Sequence, residues 1–378
     1  MKVMSFKRSK GNTAIMRFLI ILLLFPLTCQ AATIETFAGS GKAGYQGDGK
    51  EAILAELNQP FGVTVGPDGN VYFCDTSNHV IRKILENGII ETVIGTGEKG
   101  YTGDGGPATD ATLNEPYEIR FHPNGDLYWV ERMNHIVRKK DHATGKVTTL
   151  AGTGSPGFSG DGGPGHLADL NQPHSIEFDA GAKNLFICDI KNHRIRRLDL
   201  ASGIISTWCG NGQTKNLTDG AAIGPQTPLN GPRALARAPD GALWLALREG
   251  NAVYRIDMKS HTLHHMAGTG KPGFTGNGGP ATLATIAGPK GIAVSPDGKK
   301  VYLADTETHT LRAINLTTTP PLLELIAGDG ARGDGPDTPD PLKCRMARLH
   351  GIGIHPLTGD LYIGDSECHK IRVLRGLK

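Results

Sequence analysis

One short pattern occurs six times along this chain, and it limits the possible folds more than any other feature. The copies begin at Asn58, Asn114, Asn171, Asn230, Ala287 and Ala347, with spacings of 56, 57, 59, 57 and 60 residues. The first copy reads NQPFGVTVGPDGNVYFCDTSNHVIRK, in which short strand-forming runs alternate with Gly and Asp turns. Repeats of this length and type predict an all-β fold, a six-bladed β-propeller with one copy in each blade.

A further strand-like run follows each of the first five copies, for example IIETVIG from Ile89. The sixth copy is not followed by such a run, but a matching one, TIETFAG, begins at Thr33, before the first copy. We therefore expect this N-terminal strand to complete the last blade and close the ring, which removes the open sheet edges. The propeller domain is predicted to occupy residues 32–378.

The first 31 residues are typical of a secretory signal peptide. Basic residues precede an apolar run at positions 18–27, and a cleavage site with small residues ends at Ala31. The apolar run is too short for a membrane span, so we do not expect an integral membrane protein. The predicted location is the periplasm or the external medium.

The formal charge of +3 belongs largely to this N-terminal segment. It holds five Lys or Arg residues and no acid, so removing those charges leaves −2 for residues 32–378. Without a basic field, nucleic acid is not an expected partner. We expect a monomer whose partner is a small anionic ligand, a saccharide or an extracellular protein.

Cysteine placement permits one disulfide bond. Cys344 and Cys368 are both predicted to lie in connections on one face of the last blade, and export would allow them to be oxidised. We therefore treat this pair as a disulfide candidate.

Several polar positions recur in most copies, which indicates a structural role. An acid recurs as Asp75, Glu131, Asp189, Asp305 and Asp365, and an arginine follows it seven positions later. A histidine recurs as His79, His135, His193, His309 and His369. A residue type that recurs at one position on separate blades is best explained by a structural role. We therefore expect the acid and the arginine to pair within each blade, and we assign these positions and the histidines to the scaffold. Aspartates of the glycine-rich links, such as Asp48, are interpreted as turn residues.

The position after the N-x-P turn does not repeat in this way. Around the ring it reads Phe61, Tyr117, His174, Arg233, Lys290 and His350. The next position is glycine in three blades but Glu118 in blade two. The first strand of each propeller blade lines the central axis, so these side chains are predicted to converge at one mouth of the channel. The alignment places Arg248 in the acid slot of the irregular fourth blade and predicts it on the same face.

The pattern P-x-G-V-x-x-x-P-x-G-N-x-Y-x-x-D-x-x-N-H-x-I-R resembles NHL repeats, and the preceding GTGxxGxxGDGGPAT segment resembles exported, chiefly bacterial, members of that family. The resemblance covers residues 32–378 and implies the six-bladed fold. It leaves function open, because NHL propellers include protein- and RNA-binding modules, sensor domains and a few lyases. Pro173-His174-Ser175 is locally similar to the motif that carries a zinc-ligand histidine in the peptide-amidating lyase branch.

The cationic residues of the ring favour an anionic ligand. Arg233, Lys290 and Arg248 suit a carboxylate, which arginine binds through two parallel hydrogen bonds. With Glu118 and Phe61 they form the predicted ligand-binding set, and Tyr117 would stack on the ligand. We therefore expect the propeller to bind an anionic, carboxylate-bearing or protein ligand at its axial mouth.

A lyase is the alternative function. Tyr117, His174 and His350 are candidate proton donors and acceptors for β-elimination on a uronate-type or other carboxylate-bearing substrate. A metal-assisted version would use His174, His350 and Glu118 to hold zinc or calcium. No cofactor is favoured, because the neighbouring arginine and lysine would repel a cation.

Overall fold

The computed structural model describes residues 32–215 and 217–377, so the predicted signal peptide lies outside the described residues. Within these ranges, 24 strands form six four-stranded antiparallel sheets, one for each blade. The predicted all-β, six-bladed propeller is therefore confirmed.

Blades one to three follow the order of the chain. Blade one contains β2 (Pro60–Val65), β3 (Val71–Asp75), β4 (Val80–Ile84) and β5 (Ile90–Ile94). Blade two contains β6 (Pro116–Phe121), β7 (Leu127–Glu131), β8 (Ile136–Lys140) and β9 (Val147–Ala151). Blade three contains β10 (Pro173–Phe178), β11 (Asn184–Asp189), β12 (Arg194–Asp199) and β13 (Ile205–Cys209).

Blades four and five repeat this arrangement, and blade six closes the ring. Blade four contains β14 (Pro232–Arg237), β15 (Leu243–Leu247), β16 (Ala252–Asp257) and β17 (Thr262–Ala267). Blade five contains β18 (Pro289–Val294), β19 (Lys300–Asp305), β20 (Thr310–Asn315) and β21 (Leu322–Ala327). Blade six contains β22 (Leu349–Ile354), β23 (Leu361–Asp365), β24 (Lys370–Arg375) and the N-terminal β1 (Thr33–Ala38).

The N-terminal strand completes the last blade as predicted. β1 runs antiparallel to β24, with Thr33 opposite Arg375 and Thr36 opposite Arg372. Strands from the two ends of the sequence therefore share one sheet, and β1 pairs with β24, which would otherwise be an edge strand.

The helical content of the described ranges is limited to short 3-10 turns. They span Ala52–Leu54, Thr76–Asn78, Ala108–Asp110, Gly165–Leu167, Ile190–Asn192, Ala281–Leu283, Thr306–Thr308, Pro341–Lys343 and Ser366–Cys368. None of the helices in these ranges is long and apolar enough to cross a membrane.

The first strand of each blade is innermost and contacts the first strands of its neighbours around the axis. These strands approach closely, and a Cβ added at Gly62 would lie 2.7 Å from the Cα of Glu118. The glycines of this slot thus let adjacent blades pack at the centre. Apolar layers fill the space between blades, such as the cluster that joins Trp244 to Leu303.

The repeated acid and arginine form buried ion pairs, as the sequence predicted. In blade one, Nη1 of Arg82 lies 3.2 Å from Asp75, and both side chains are fully buried. The same guanidinium donates to Asp48 of the glycine-rich link at 2.7 Å. The aspartates of these links are therefore more than turn residues, because they supply a second carboxylate to a buried arginine.

The two cysteines of the predicted disulfide are free thiols in the structure. Sγ of Cys344 lies 3.8 Å from the carbonyl of Arg345, and Sγ of Cys368 lies 3.4 Å from the carbonyl of Gly333. The two thiols contact different backbone carbonyls, and the predicted bond is not formed.

Candidate ligand-binding site at the axial mouth

The six ring residues converge as predicted, and the aromatic ones form a continuous wall. The ring of Phe61 lies edge-on to Tyr117 at 4.6 Å and stacks on His350 at 3.9 Å between centroids. Tyr117 in turn lies edge-on to His174 at 4.5 Å. These contacts hold one half of the mouth in a rigid, largely apolar arrangement.

The mouth opens into a cavity of about 400 Å³, which we call the axial cavity. Its lining residues are Phe61, Tyr117, Arg132, Gln172, His174, Ile190, Lys191, His193, Arg233, Arg248, Glu249 and Lys290. Within the described ranges, five cationic side chains and one carboxylate therefore face this space. The volume suits a small molecule, and the charge favours an anion.

Arg233 is the buried cation of the axial cavity that has no ion pair with the described residues. Its side chain is 5% exposed, its Nη2 donates to the hydroxyl of Tyr117, and the guanidinium lies 4.7 Å from the centre of that ring. Its Nε has no partner, and no carboxylate of the described residues forms an ion pair with it. Burial lowers the pKa of Arg233 to about 9, so it remains charged at neutral pH.

Lys290 lies beside Arg233 and has a single acidic contact. Its Nζ is 3.2 Å from the carboxylate of Glu307, which also accepts from Arg348 at 2.8 Å. Burial, with repulsion from Arg233, lowers the pKa of Lys290 to about 7. This amine therefore changes its charge near neutral pH, which no unperturbed lysine does.

Strand register corrects the alignment of blade four. The acid slot lies opposite the first residue of the innermost strand, as Asp75 lies opposite Pro60, and in blade four Pro232 lies opposite Leu247. Leu247, not Arg248, therefore replaces the acid.

Arg248 occupies the next slot, equivalent to Arg132 of blade two, since their N–H groups bond the equivalent carbonyls of Gly231 and Glu115. Arg132 lines the axial cavity and pairs with Glu115. Arg132 is not among the site residues predicted from the sequence. The aligned copies contained a signal for it. In other blades this slot holds a hydroxyl residue that donates to a backbone carbonyl of the neighbouring blade, namely Thr76, Thr306 and Ser366.

The predicted proton-transfer residues are placed differently from one another. Nδ1 of His174 lies 2.6 Å from the carbonyl of Gln172, and burial lowers its pKa to about 3. His174 is therefore neutral and weakly basic. His350 does not line the axial cavity but packs behind Phe61, with Nδ1 2.8 Å from both the Arg348 carbonyl and the Ser366 hydroxyl. Burial holds its pKa well below the usual value.

Glu118 is not part of the mouth, contrary to the sequence prediction. Its carboxylate pairs with Arg120, which also contacts Glu177 at 3.1 Å. Arg120 and Glu177 line a separate cavity of about 150 Å³ towards the other ends of the innermost strands. Because strand side chains alternate, the residue after Tyr117 turns away from the axial cavity.

The predicted metal ligands are not brought together. Glu118 is engaged by Arg120, and His174 and His350 each direct one ring nitrogen at a backbone carbonyl. In the described part of the chain, the one cluster of three close ligand atoms is Asp334, Asp365 and Cys368. Both of these aspartates already bind Arg372, which explains their proximity.

The fold and the axial cavity together define a β-propeller with a small, positively charged cavity at one mouth. The family model of the teneurin NHL domain matches residues 40–102. The chloroplast protein SUPPRESSOR OF QUENCHING 1 of Arabidopsis thaliana is 28% identical over 292 residues, 75% of this chain and 27% of that protein. NHL repeat-containing protein 2 of Bos taurus is 26% identical over 330 residues, 76% of this chain and 43% of that protein.

The chain is a six-bladed β-propeller whose repeats are similar to those of NHL-repeat proteins, as its sequence predicted. It spans less than half of the length of these curated relatives. A solved structure of an auxiliary nutrient binding protein from Bacteroides thetaiotaomicron superimposes with a TM-score of 0.65 at 14% identity, covering 91% of this chain and 76% of that one. At this identity the likeness shows the fold alone.

Proposed function

We propose that this propeller binds a small anionic ligand, with a carboxylate as the recognised group, in the axial cavity. The observation that carries the proposal is the buried guanidinium of Arg233, which forms no ion pair with the described residues. A buried charge without a partner is costly, and a ligand carboxylate would supply both the charge and the hydrogen-bond acceptors. Lys290 and Arg248 line the same cavity and add to the attraction.

The shape of the cavity favours a small molecule over a protein surface. Its volume of about 400 Å³ lies within the range of small-ligand sites. Phe61 and Tyr117 offer an apolar face beside the cations, which suits a ring that carries an acid group. The description of the Bacteroides neighbour as a nutrient-binding protein agrees with this role, although the proposal rests on the cavity itself.

Isothermal titration calorimetry with carboxylates tests the proposal. The panel contains D-galacturonate, cyclohexanecarboxylate and citrate, with D-galactose as the uncharged control. We expect saturable binding of at least one acid, and a loss of 100-fold or more in Arg233→Met.

Arg255→Met is the matched control for this titration, because Arg255 is a partly exposed arginine of the same blade that pairs with Asp240 away from the cavity. It should bind as the wild type does. Absence of binding across the panel, or unchanged affinity in Arg233→Met, would contradict the proposal.

A lyase is a second candidate, and the lowered pKa of Lys290 favours it. An amine with a pKa of about 7 beside Arg233 is suited to remove a proton next to a carboxylate, while Arg233 stabilises the enolate. The carbon–carbon double bond then forms as the leaving group departs with a proton, for which the Tyr117 hydroxyl is the nearest donor to Arg233. His174, with its pKa of about 3, is a poorer base than the sequence suggested.

Absorbance of unsaturated uronates, followed during incubation with acidic polysaccharides, tests the lyase. Product formation that is lost in Lys290→Met and Tyr117→Phe, with the fold retained, would support it. Binding of the same saccharides without turnover would eliminate it and leave the binding function intact.

A further inference from the structure

One of the recurrent histidines does not have the structural role of the others. In four blades Nδ1 accepts a hydrogen bond from the backbone of the next blade: His79 from Glu115 at 3.2 Å, His135 from Gln172 at 3.0 Å, His309 from Arg348 at 3.2 Å, and His369 from Gln59 at 3.3 Å. Asn251 of blade four supplies an equivalent acceptor, its Oδ1, to Gly288 at 2.9 Å. Nδ1 of His193 is buried and has no partner among the described residues.

The missing bond lies at the junction of blades three and four. The equivalent donor would be the N–H of Gly231, which precedes Pro232 as Gln172 precedes Pro173. Gly231 has a φ of +71°, against +49° for Gln172. The carboxylate of Glu249 packs on Gly231 so closely that any side chain there would collide with it. The local backbone therefore accommodates Glu249 instead of the inter-blade hydrogen bond.

His193 instead belongs to the wall of the axial cavity. It lines this space with Lys191 and Glu249, in the same cavity as the cationic arc of Arg233 and Lys290. Because Nδ1 is closed off from this space, the ring nitrogen that a ligand can meet is Nε2, which forms no hydrogen bond with the described residues. A ligand that displaces water from Nε2 must replace its hydrogen bond. Glu249 offers carboxylate oxygens, which accept from hydroxyl groups.

We propose that His193 binds a hydroxyl group of the ligand, and that the ligand is a sugar acid rather than an apolar carboxylate. The inference rests on the proposed function and names its ligand class. The carboxylate lies against Arg233 and Lys290, the apolar face of the sugar ring contacts Tyr117, and ring hydroxyls reach His193 and Glu249. An apolar acid of the same size would displace water from Nε2 of His193 without replacing its hydrogen bond, so selectivity follows from this ring nitrogen.

A pair of probes that differ only in hydroxyl groups around a six-membered ring acid separates these contacts. D-galacturonate and cyclohexanecarboxylate are titrated calorimetrically into wild type, His193→Ala and the control variant His135→Ala. We expect wild type to bind galacturonate about tenfold more tightly, and His193→Ala to bind both probes equally, with its affinity for cyclohexanecarboxylate unchanged.

The control reports on the structural role that His193 lacks. His135→Ala removes an inter-blade hydrogen bond, so its unfolding temperature should fall while its preference for galacturonate remains. His193→Ala removes no such bond, so its unfolding temperature should be equal to or above that of wild type.

The outcomes distinguish the inference from the proposed function. Binding of neither probe by wild type overturns the inference, and it overturns the anion site as well when citrate also fails to bind. Equal binding of the two probes by wild type, or a galacturonate preference that survives in His193→Ala, overturns the inference alone and leaves the anion site in place.

Discussion

Blades four and five have the same fold, but each places its buried arginine in a different electrostatic environment. In blade five Arg312 is fully buried and bound to the buried Asp305 at 3.0 Å. Blade four has Leu247 in place of that acid and Tyr254 in place of that arginine, while the next residue, Arg255, pairs with Asp240 near the surface. Its buried guanidinium is instead Arg233, which has no carboxylate partner among the described residues.

The difference separates structural charge from functional charge. A paired buried arginine holds the turns of a blade together through several hydrogen bonds, as Arg312 does with the carbonyls of Thr285 and Thr275. A buried arginine without an ion pair lowers stability, and a ligand that supplies the missing carboxylate explains its presence.

The largest expected effect comes from breaking the structural pair. Asp305→Ala leaves the buried Arg312 without its interior carboxylate, so we expect a loss of about 3–5 kcal/mol in the free energy of unfolding. Denaturant titration followed by tryptophan fluorescence measures this loss.

Breaking an exposed ion pair of blade four should have a much smaller effect. Arg255→Ala removes a partly exposed pair, for which we expect a loss of about 0–1 kcal/mol. Equal losses in the two variants would show that blade four depends on its pair as much as blade five does, and would remove the distinction.

An intermediate effect is expected from pH. Lys290 has a pKa of about 7 without ligand, and a bound anion would raise it, so affinity should decrease as pH rises and the amine loses its charge. With one proton involved, we expect about a tenfold decrease between about pH 6 and pH 8. His174 remains neutral throughout this range, because its pKa is about 3.

Lys290→Arg should remove the pH dependence, since a guanidinium stays charged. Calorimetric titration of galacturonate at both pH values provides the measurement. A decrease that persists in Lys290→Arg would assign the titration to a group other than Lys290 and contradict the prediction.

The smallest effect is expected at the histidine slot of blade four. Asn251 has a φ of +44° and already accepts the inter-blade hydrogen bond, so Asn251→His should change the free energy of unfolding by less than about 0.5 kcal/mol. A thermal unfolding comparison checks this value. A loss of more than about 1 kcal/mol would show that blade four is not equivalent to the others at this position.

The repeat made most of the fold predictable from the sequence. The six copies gave the number of blades, and the unmatched strand at Thr33 gave the join with β24. The ring residues were predictable because a fixed slot in each copy must face the axis, whatever its side chain. The ion pairs between link residues and blade residues, such as Asp48 with Arg82, could not be predicted, because they join residues 34 positions apart across a loop.

The site was predictable in position but only partly in composition. The prediction placed Glu118 at the mouth, but neighbouring residues on a strand face opposite sides, and a sequence alignment does not show which side each one faces. Blade four was shifted by one residue because Leu247 preserves neither charge nor size, and strand register alone resolves it. His193 matched the repeat perfectly, so its missing partner was visible only in the structure.

The central claim is that Arg233 is kept for a ligand at a cost in stability. Paired measurements on Arg233→Met, its free energy of unfolding and its affinity for galacturonate, test this most directly. We expect unfolding to become harder by about 1 kcal/mol while affinity falls at least 100-fold. A variant that is clearly less stable than wild type and binds galacturonate as well as wild type would contradict the claim and make Arg233 a structural residue.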